Sequence, residues 1–251
     1  TYVISDWIYL AGNVSAMGSG SNASIISVDN ASKAAADQTG VFSIKGAGAH
    51  GCNTIEGLRI TGTAATGTAA YAFGLIQTGQ SSIGADVLGC DLVVRDCRIG
   101  GDSGNTACQG SGLRIGSNSA FSRVVVERCD FAAAGSFDLT FGRCIHSLEA
   151  NGARIDVREC RFITHADTGV FGVVMLFGLC IHLRECFFDN LAFASGALYC
   201  NVTAGAAIAG TYVKNSMVCC YFSAELTGTL TQYLYGRLST SADWYYEAGT
   251  F

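Results

Sequence analysis

Through the middle of this chain, apolar residues alternate with polar ones, lose phase by one position at a charged pair, and then resume. The alternating residues are Leu92 and Val94, Val124 and Val126, Ile155 and Val157, and Ile181 and Leu183. The pairs that follow are Arg95-Asp96, Glu127-Arg128, Arg158-Glu159 and Arg184-Glu185. Beyond each pair the apolar set restarts at a cysteine and at the residue two further on: Cys97 and Ile99, Cys129 and Phe131, Cys160 and Phe162, Cys186 and Phe188. A period of two predicts a strand with one buried face. A slip of one would turn that face outward, so the pattern predicts a two-residue corner at each charged pair, with its charges outside.

The cysteines recur at steps of 32, 31 and 26 residues. Self-similarity at such a period predicts stacked units, because one unit cannot cover its apolar face without a neighbour. A weaker earlier copy runs Ile55, Glu56-Gly57, Leu58, Ile60. A later copy fits either Val213-Lys214-Asn215-Ser216 or Met217-Val218-Cys219-Cys220-Tyr221-Phe222. A second motif alternates with the first: Phe73-Gly74-Leu75-Ile76, Gly112-Leu113-Arg114-Ile115, Phe141-Gly142-Arg143-Cys144-Ile145 and Phe177-Gly178-Leu179-Cys180-Ile181. Each unit therefore holds at least two strand positions joined by Gly-, Ser-, Ala- and Thr-rich connections. Further strands are expected at Val3 to Leu10, Ile25 to Val28 and Val41 to Ile44, and a short turn at Asn30 to Asp37.

These features predict an all-β chain folded as a parallel β-helix, a solenoid, over residues 1–222. Leucine-rich repeats and propellers need consensus residues that are missing here. The absence of proline agrees with backbone N–H groups committed to inter-coil ladders. At about 30 residues per coil, 251 residues make seven or eight coils. Residues 223–251 change character and become aromatic. Tyr233, Tyr235, Trp244, Tyr245, Tyr246 and Phe251 are read there as a cap or as an oligomer interface.

Twelve cysteines ordinarily point to disulfides in a secreted chain, but four of these share one slot on successive coils. Stacked strands hold equivalent side chains about 4.8 Å apart with parallel vectors, unlike the facing arrangement of a disulfide. Cys97, Cys129, Cys160 and Cys186 are therefore expected to form a ladder of small buried thiols, as in a reducing cytoplasm. No signal peptide is visible, and the apolar run Val170 to Leu179 is too short to cross a membrane. Thr1 is not an initiator methionine, which admits a longer or processed parent chain. A net charge of -5 with 15 scattered Lys and Arg argues against nucleic-acid binding. The corner charges vary in sign down two columns, Arg95, Glu127, Arg158, Arg184, Lys214 and Asp96, Arg128, Glu159, Glu185, Asn215, and unlike neighbours are expected to pair between coils.

Chemistry is harder to locate. Cys144-Ile145-His146 and Cys180-Ile181-His182 share a Phe-Gly-x-Cys-Ile-His frame and supply the ligand set of a structural zinc site. A polar stack without metal is the competing reading, and no cofactor is assigned. Asp130, Asp138, Asp156, Asp167 and Asp189, placed in or beside loops, are the carboxylates from which a glycosidase pair could be drawn. His165-Ala166-Asp167 is a fragment of a dyad. No spacing singles out a catalytic residue.

The corner-Cys-x-Phe coils, the opening Trp7-Ile8-Tyr9-Leu10-Ala11-Gly12-Asn13, and Phe42-Ser43-Ile44-Lys45-Gly46 before Asn53-Thr54-Ile55-Glu56-Gly57-Leu58-Arg59-Ile60 resemble right-handed parallel β-helix regions. They are similar to the single-stranded β-helix bodies of bacteriophage tailspikes, tail fibres and related virion proteins. That resemblance implies a homo-oligomeric, typically trimeric virion part assembled in the bacterial cytoplasm. Its implied partners are other virion proteins and host cell-surface polysaccharide, without membrane insertion. Tailspikes often cleave that polysaccharide, so a glycoside hydrolase or lyase is the alternative.

Overall fold

A computed structural model describes residues 1–10, 12–30, 32–33, 39–44, 52–62, 74–78, 91–101, 111–115, 123–131, 144–147, 154–164, 174–175, 180–190, 198–200, 213–222, 234–236 and 242–247. Its strands fall into eight successive rounds of three. The first round is β1 (Tyr2–Ile4), β2 (Ile8–Leu10) and β3 (Ala16–Met17), and the second β4 (Ile25–Val28), β5 (Phe42–Ile44) and β6 (Cys52–Glu56). The third is β7 (Arg59–Gly62), β8 (Gly74–Thr78) and β9 (Asp91–Arg95), and the fourth β10 (Arg98–Gly101), β11 (Ser111–Ile115) and β12 (Arg123–Glu127). The fifth is β13 (Asp130–Phe131), β14 (Ile145–Ser147) and β15 (Arg154–Arg158), and the sixth β16 (Arg161–Thr164), β17 (Val174–Met175) and β18 (Cys180–Arg184). The seventh is β19 (Phe187–Asn190), β20 (Leu198–Cys200) and β21 (Val213–Val218), and the eighth β22 (Tyr221–Phe222), β23 (Leu234–Gly236) and β24 (Ala242–Glu247).

The first strand of every round joins one eight-stranded sheet, and the third strand of every round joins another. Second strands form a six-stranded sheet from β2 to β17, while β20 and β23 pair with each other. Every pairing recorded is parallel, and the described residues contain no α-helix. The chain is thus all-β, built of parallel sheets visited in a fixed cyclic order, an arrangement compatible with a parallel β-helix. The expected strand at Val3 to Leu10 is two strands in two sheets. Its break follows Ser5, where the Asp6 carboxylate accepts the Trp7 N–H at 2.7 Å. Near Asn30 the described residues turn through a Lys33 N–H bond to the Asn30 carbonyl, and residues 34–38 lie outside the description.

The corners follow from backbone conformation. The second residue of each is left-handed: Gly57 at φ 65°, Asp96 at 54°, Arg128 at 49°, Glu159 at 51°, Glu185 at 53° and Cys219 at 50°. Such a residue costs about 1–2 kcal/mol when it carries a Cβ. Fixed hydrogen bonds offset that cost. Five of these residues, Gly57, Asp96, Arg128, Glu159 and Glu185, donate their N–H to the next coil, as Asp96 to the Glu127 carbonyl at 3.1 Å and Arg128 to the Arg158 carbonyl at 3.0 Å. The residue after the cysteine donates backward instead, as Asp130 to Cys97 and Arg161 to Cys129, both at 2.9 Å. The ladder thus continues on both sides of the bend. The first residue of each pair remains inside its strand, so the bend is narrower than the expected two-residue corner.

Register also decides the open copy. Leu183 pairs with Met217, Arg184 with Val218 and Phe188 with Phe222, so the last corner is Val218-Cys219 with Cys220 in the slot. Lys214 and Asn215 lie within β21 ahead of the bend and drop out of the corner columns.

Inside the bend the apolar set is buried as expected. Val94, Cys97, Ile99, Val126, Cys129, Phe131, Val157, Cys160 and Phe162 are all at most 1% exposed. Phe131 and Phe162 stack with ring centroids 5.2 Å apart. In the earlier copy Ile55, Leu58 and Ile60 fill the same places. The second motif forms the six-stranded sheet for three of its copies, where Ile76, Leu113 and Ile145 align. Its fourth copy does not belong there, because Cys180-Ile181 opens β18 and Ile181 pairs with Ile155. Only 26 residues separate Cys160 from Cys186, against 32 and 31 for the two preceding cysteine steps, so the Phe-Gly pair stands too close to the next corner. The parallel stack continues beyond Phe222, with β24 lying on β21 along its full length.

Candidate functional site

The outer face of the third-strand sheet carries the most concentrated chemistry. Positions four residues before each slot cysteine point away from the core in β9, β12 and β15, and down the stack they read Val93, Val125, Asp156, His182, Ser216. Asp, His and Ser thus occupy one row on three successive coils, about 4.8 Å apart by strand spacing. Two positions nearer the strand start stand Asp91, Arg123 and Arg154, with Cys180 next in register.

Asp156 keeps only 3% of its side-chain accessibility although it lies on an outer face. Arg123 covers it by donating from Nε at 3.0 Å and closing the pair through Nη2, also at 3.0 Å, on Oδ2. Arg154 Nε donates to Oδ1 at 3.1 Å. Both carboxylate oxygens are therefore held by guanidinium groups that are about half exposed. A buried carboxylate without such partners would pay heavily for desolvation. On the next coil His182 Nδ1 lies 2.7 Å from Ser216 Oγ. Partial burial pushes the His182 pKa below its usual 6.5, the Arg154 charge adds to that, and Asp156 opposes it. His182 is accordingly a neutral imidazole near pH 7 that can exchange a proton with the serine hydroxyl.

This contact has the nucleophile–base form of acyl-transfer sites. Acyl transfer also needs donors aimed at a developing oxyanion. Mid-strand N–H groups lie along the sheet and are engaged in the ladders, so the geometry fits recognition of hydroxyl or carboxylate groups better than nucleophilic attack.

Beside this row the corner charges close on one another. Arg95 Nη2 meets Glu56 Oε2 at 2.7 Å, and Arg128 grips Asp96 through Nε at 2.8 Å and Nη2 at 2.9 Å. The Arg128 contact holds the Asp96 carboxyl below its ordinary pKa, and Glu56 raises that of Arg95. Pairing between coils is therefore seen at two steps. Lower down it gives way to Arg184 with its own neighbour Glu185 at 3.0 Å, because Arg158 and Arg184, and Glu159 and Glu185, stack like on like.

The zinc quartet is not brought together. Cys144 and His146 fall on the second-strand sheet, where His146 neighbours Arg114 and Met175, while Cys180 and His182 fall on the third-strand sheet. The shared Phe-Gly frame misled because the short round shifts it by a whole strand position. Among the described residues, no three of His, Cys, Asp and Glu cluster as metal ligands. Of the carboxylates expected in or beside loops, Asp130 opens β13 beside its corner and approaches Arg98 at 3.9 Å, while Asp156 and Asp189 lie within β15 and β19. Asp138, Asp167 and His165 lie outside the described residues, as do Tyr233 and Phe251. Tyr235 lies in β23, and Trp244, Tyr245 and Tyr246 lie in β24. Counting four back from the slot cysteines Cys160 and Cys186 gives Asp156 and His182 in advance, and Ser216 joins them once register places Cys220 in the slot.

No family model matches this chain, and neither a curated protein nor a solved structure matches it.

Proposed function

We propose that the chain is a single-stranded right-handed parallel β-helix and serves as a structural and adhesive component of a bacteriophage virion. It would be a tailspike, tail fibre or capsid-attached part, homo-oligomeric and most simply trimeric, contacting host surface polysaccharide or other virion proteins. The right hand rests on the rule for parallel crossover connections. The observation that carries the functional reading is the self-contained shaft. Corner N–H groups at Gly57, Asp96, Arg128, Glu159 and Glu185 donate to the next coil, and the Glu56–Arg95 and Asp96–Arg128 pairs are satisfied between coils. Such a body suits a rigid spacer whose outer face meets a ligand. The virion assignment itself rests on resemblance of repeat pattern.

The alternative is a polysaccharide-degrading β-helix, and the His182–Ser216 contact beside Asp156 is what keeps it open. One experiment separates the two. The oligomer is sized by light scattering and incubated with a panel of bacterial surface polysaccharides that includes the host's, with retention and new reducing ends both measured. Retention without new ends supports the adhesive reading. Released oligosaccharides replace it with a depolymerase, and a monomer that retains no glycan overturns both.

A further inference from the structure

The slot cysteines form a longer column than their charged flanks indicated: Cys97, Cys129, Cys160, Cys186 and Cys220, one per coil. All five are free and at most 2% exposed. Their environment repeats from coil to coil. Each thiol faces the carbonyl two residues back, at 3.1 Å for Cys97, 3.3 Å for Cys129, 3.2 Å for Cys160, 3.4 Å for Cys186 and 3.6 Å for Cys220. The first four also reach a strand carbonyl of the preceding coil at 3.6–3.7 Å. Repeated contacts mean repeated rotamers, so the Cβ–Sγ bonds lie parallel down the column.

That geometry is wrong for a disulfide, which needs sulfurs about 2.05 Å apart and facing Cβ atoms. It suits a different ligand. A cation midway between two stacked sulfurs sits on a straight S–M–S line along the stack, with one thiolate on either side. Two metal–sulfur bonds of about 2.3 Å span about 4.6 Å, close to the strand spacing of about 4.8 Å. Soft thiolates select soft cations, and a linear pair excludes ions that demand four ligands.

We propose that neighbouring thiols of this column form linear two-coordinate sites for soft closed-shell cations, of which Hg(II) is the probe. Binding converts two Cys S–H groups and one Hg(II) into Cys–S–Hg–S–Cys with release of two protons. The product is neutral, which a buried slot tolerates. Five thiols in a row make at most two such bridges and leave one thiol over. Removing one member then has an effect set by its place in the row. Cys160→Ala leaves two intact neighbouring pairs and keeps two bridges. Cys129→Ala and Cys186→Ala each strand one thiol at an end and keep only one.

The test uses the whole chain, its accessible thiols such as Cys52 first blocked with N-ethylmaleimide. HgCl2 is then added, and the Hg-linked peptide pairs are identified by mass spectrometry after digestion. The expected links join adjacent slot cysteines, two per chain in the wild type and Cys160→Ala and one in Cys129→Ala and Cys186→Ala, with the melting temperature raised by each. Circular dichroism before metal addition identifies any variant that fails to fold, and Cys97→Ala, which also preserves two pairs, then replaces Cys160→Ala. Equal losses from every single variant, links that skip a coil, or ZnCl2 giving the same protection would overturn the proposal.

Discussion

Replacing Asp156 by Asn removes one charge and little volume from the most enclosed acid on the outer face. The carboxylate accepts from Arg123 and Arg154, at 3.0 and 3.1 Å. A hydrogen bond to a charged group contributes about 1.5–3 kcal/mol when buried, and breaking a buried ion pair costs about 3–5 kcal/mol. The guanidinium groups keep 48% and 55% of their side-chain exposure, so water recovers part of their loss. Asn also turns its amide donors toward one arginine, leaving a donor against a donor. The balance predicts a loss of about 2–3 kcal/mol, or roughly 1 M in urea midpoint at a slope of about 2–3 kcal/mol/M. Urea unfolding followed by circular dichroism measures it. Amide exchange in β12, β15 and β18 tests whether the loss stays local, as nearest-neighbour stacking requires. Asp130→Asn is the control, since that carboxylate is 43% exposed and its arginine stands 3.9 Å away. A change within about 0.5 kcal/mol is expected there. Should Asp156→Asn behave like Asp130→Asn, the carboxylate is solvated and the account of the row fails.

The remaining expectations concern the slot, the first corner and pH. A Cβ on Gly18 would lie 2.4 Å from the Gly57 carbonyl oxygen and 2.6 Å from Leu58, so Gly18→Ala should cost about 1–3 kcal/mol by thermal melting, whereas an unchanged melt would show that the first coil can shift. Cys160→Ser keeps a donor for the Arg158 carbonyl and should cost about 1 kcal/mol, while Cys160→Asp buries an unpaired charge and should prevent folding; equal expression and equal melts for the two would refute the buried slot. The lowered His182 pKa means the unfolded chain binds the extra proton first, so stability is complete above pH 6.5 and is lost as pH falls through that value toward the folded pKa. Melting temperature against pH should show this step in the wild type and not in His182→Gln, and parallel curves would exclude His182 as its source. Asp96, lowered by Arg128, adds its stability above pH 3.8 and loses it below, so Asp96→Asn should flatten only the acid limb of the same profile.

The parts of the fold legible in the chain were those where side chain and backbone carry one signal. At Arg95-Asp96 or Glu127-Arg128 the phase slip marks the bend and the charges mark its outer side. At Val218-Cys219 the bend persists without charge, because what defines it is a left-handed backbone, and Cys219 adopts φ 50° with no side-chain cue. Lys214 drew attention only because it is charged. The split between β1 and β2 was hidden because Val3 to Leu10 is apolar on both sides of a turn marked by the Asp6 contact and by the distant Lys33, which donates to the Ser5 carbonyl. The zinc quartet failed for a related reason: a motif shared in sequence is shared in space only when both copies stand equally far from their corners. Asp156 and His182 obey that rule and were readable from Cys160 and Cys186, whereas Ser216 needed the register that places Cys220 in the slot. The covering of Asp156 by Arg123 and Arg154 was not, since it depends on side chains folding back over the sheet.

Successive slots, beginning with Leu58, are separated by 39, 32, 31, 26 and 34 residues, yet the strands at each corner meet their neighbours in one unbroken register. Differences in length are therefore absorbed between strands and never within the ladders. For an evolving or engineered chain, insertions and deletions between the strands of a round leave the ladder register unchanged, so connection length can diversify while the same strand pairing is inherited coil after coil.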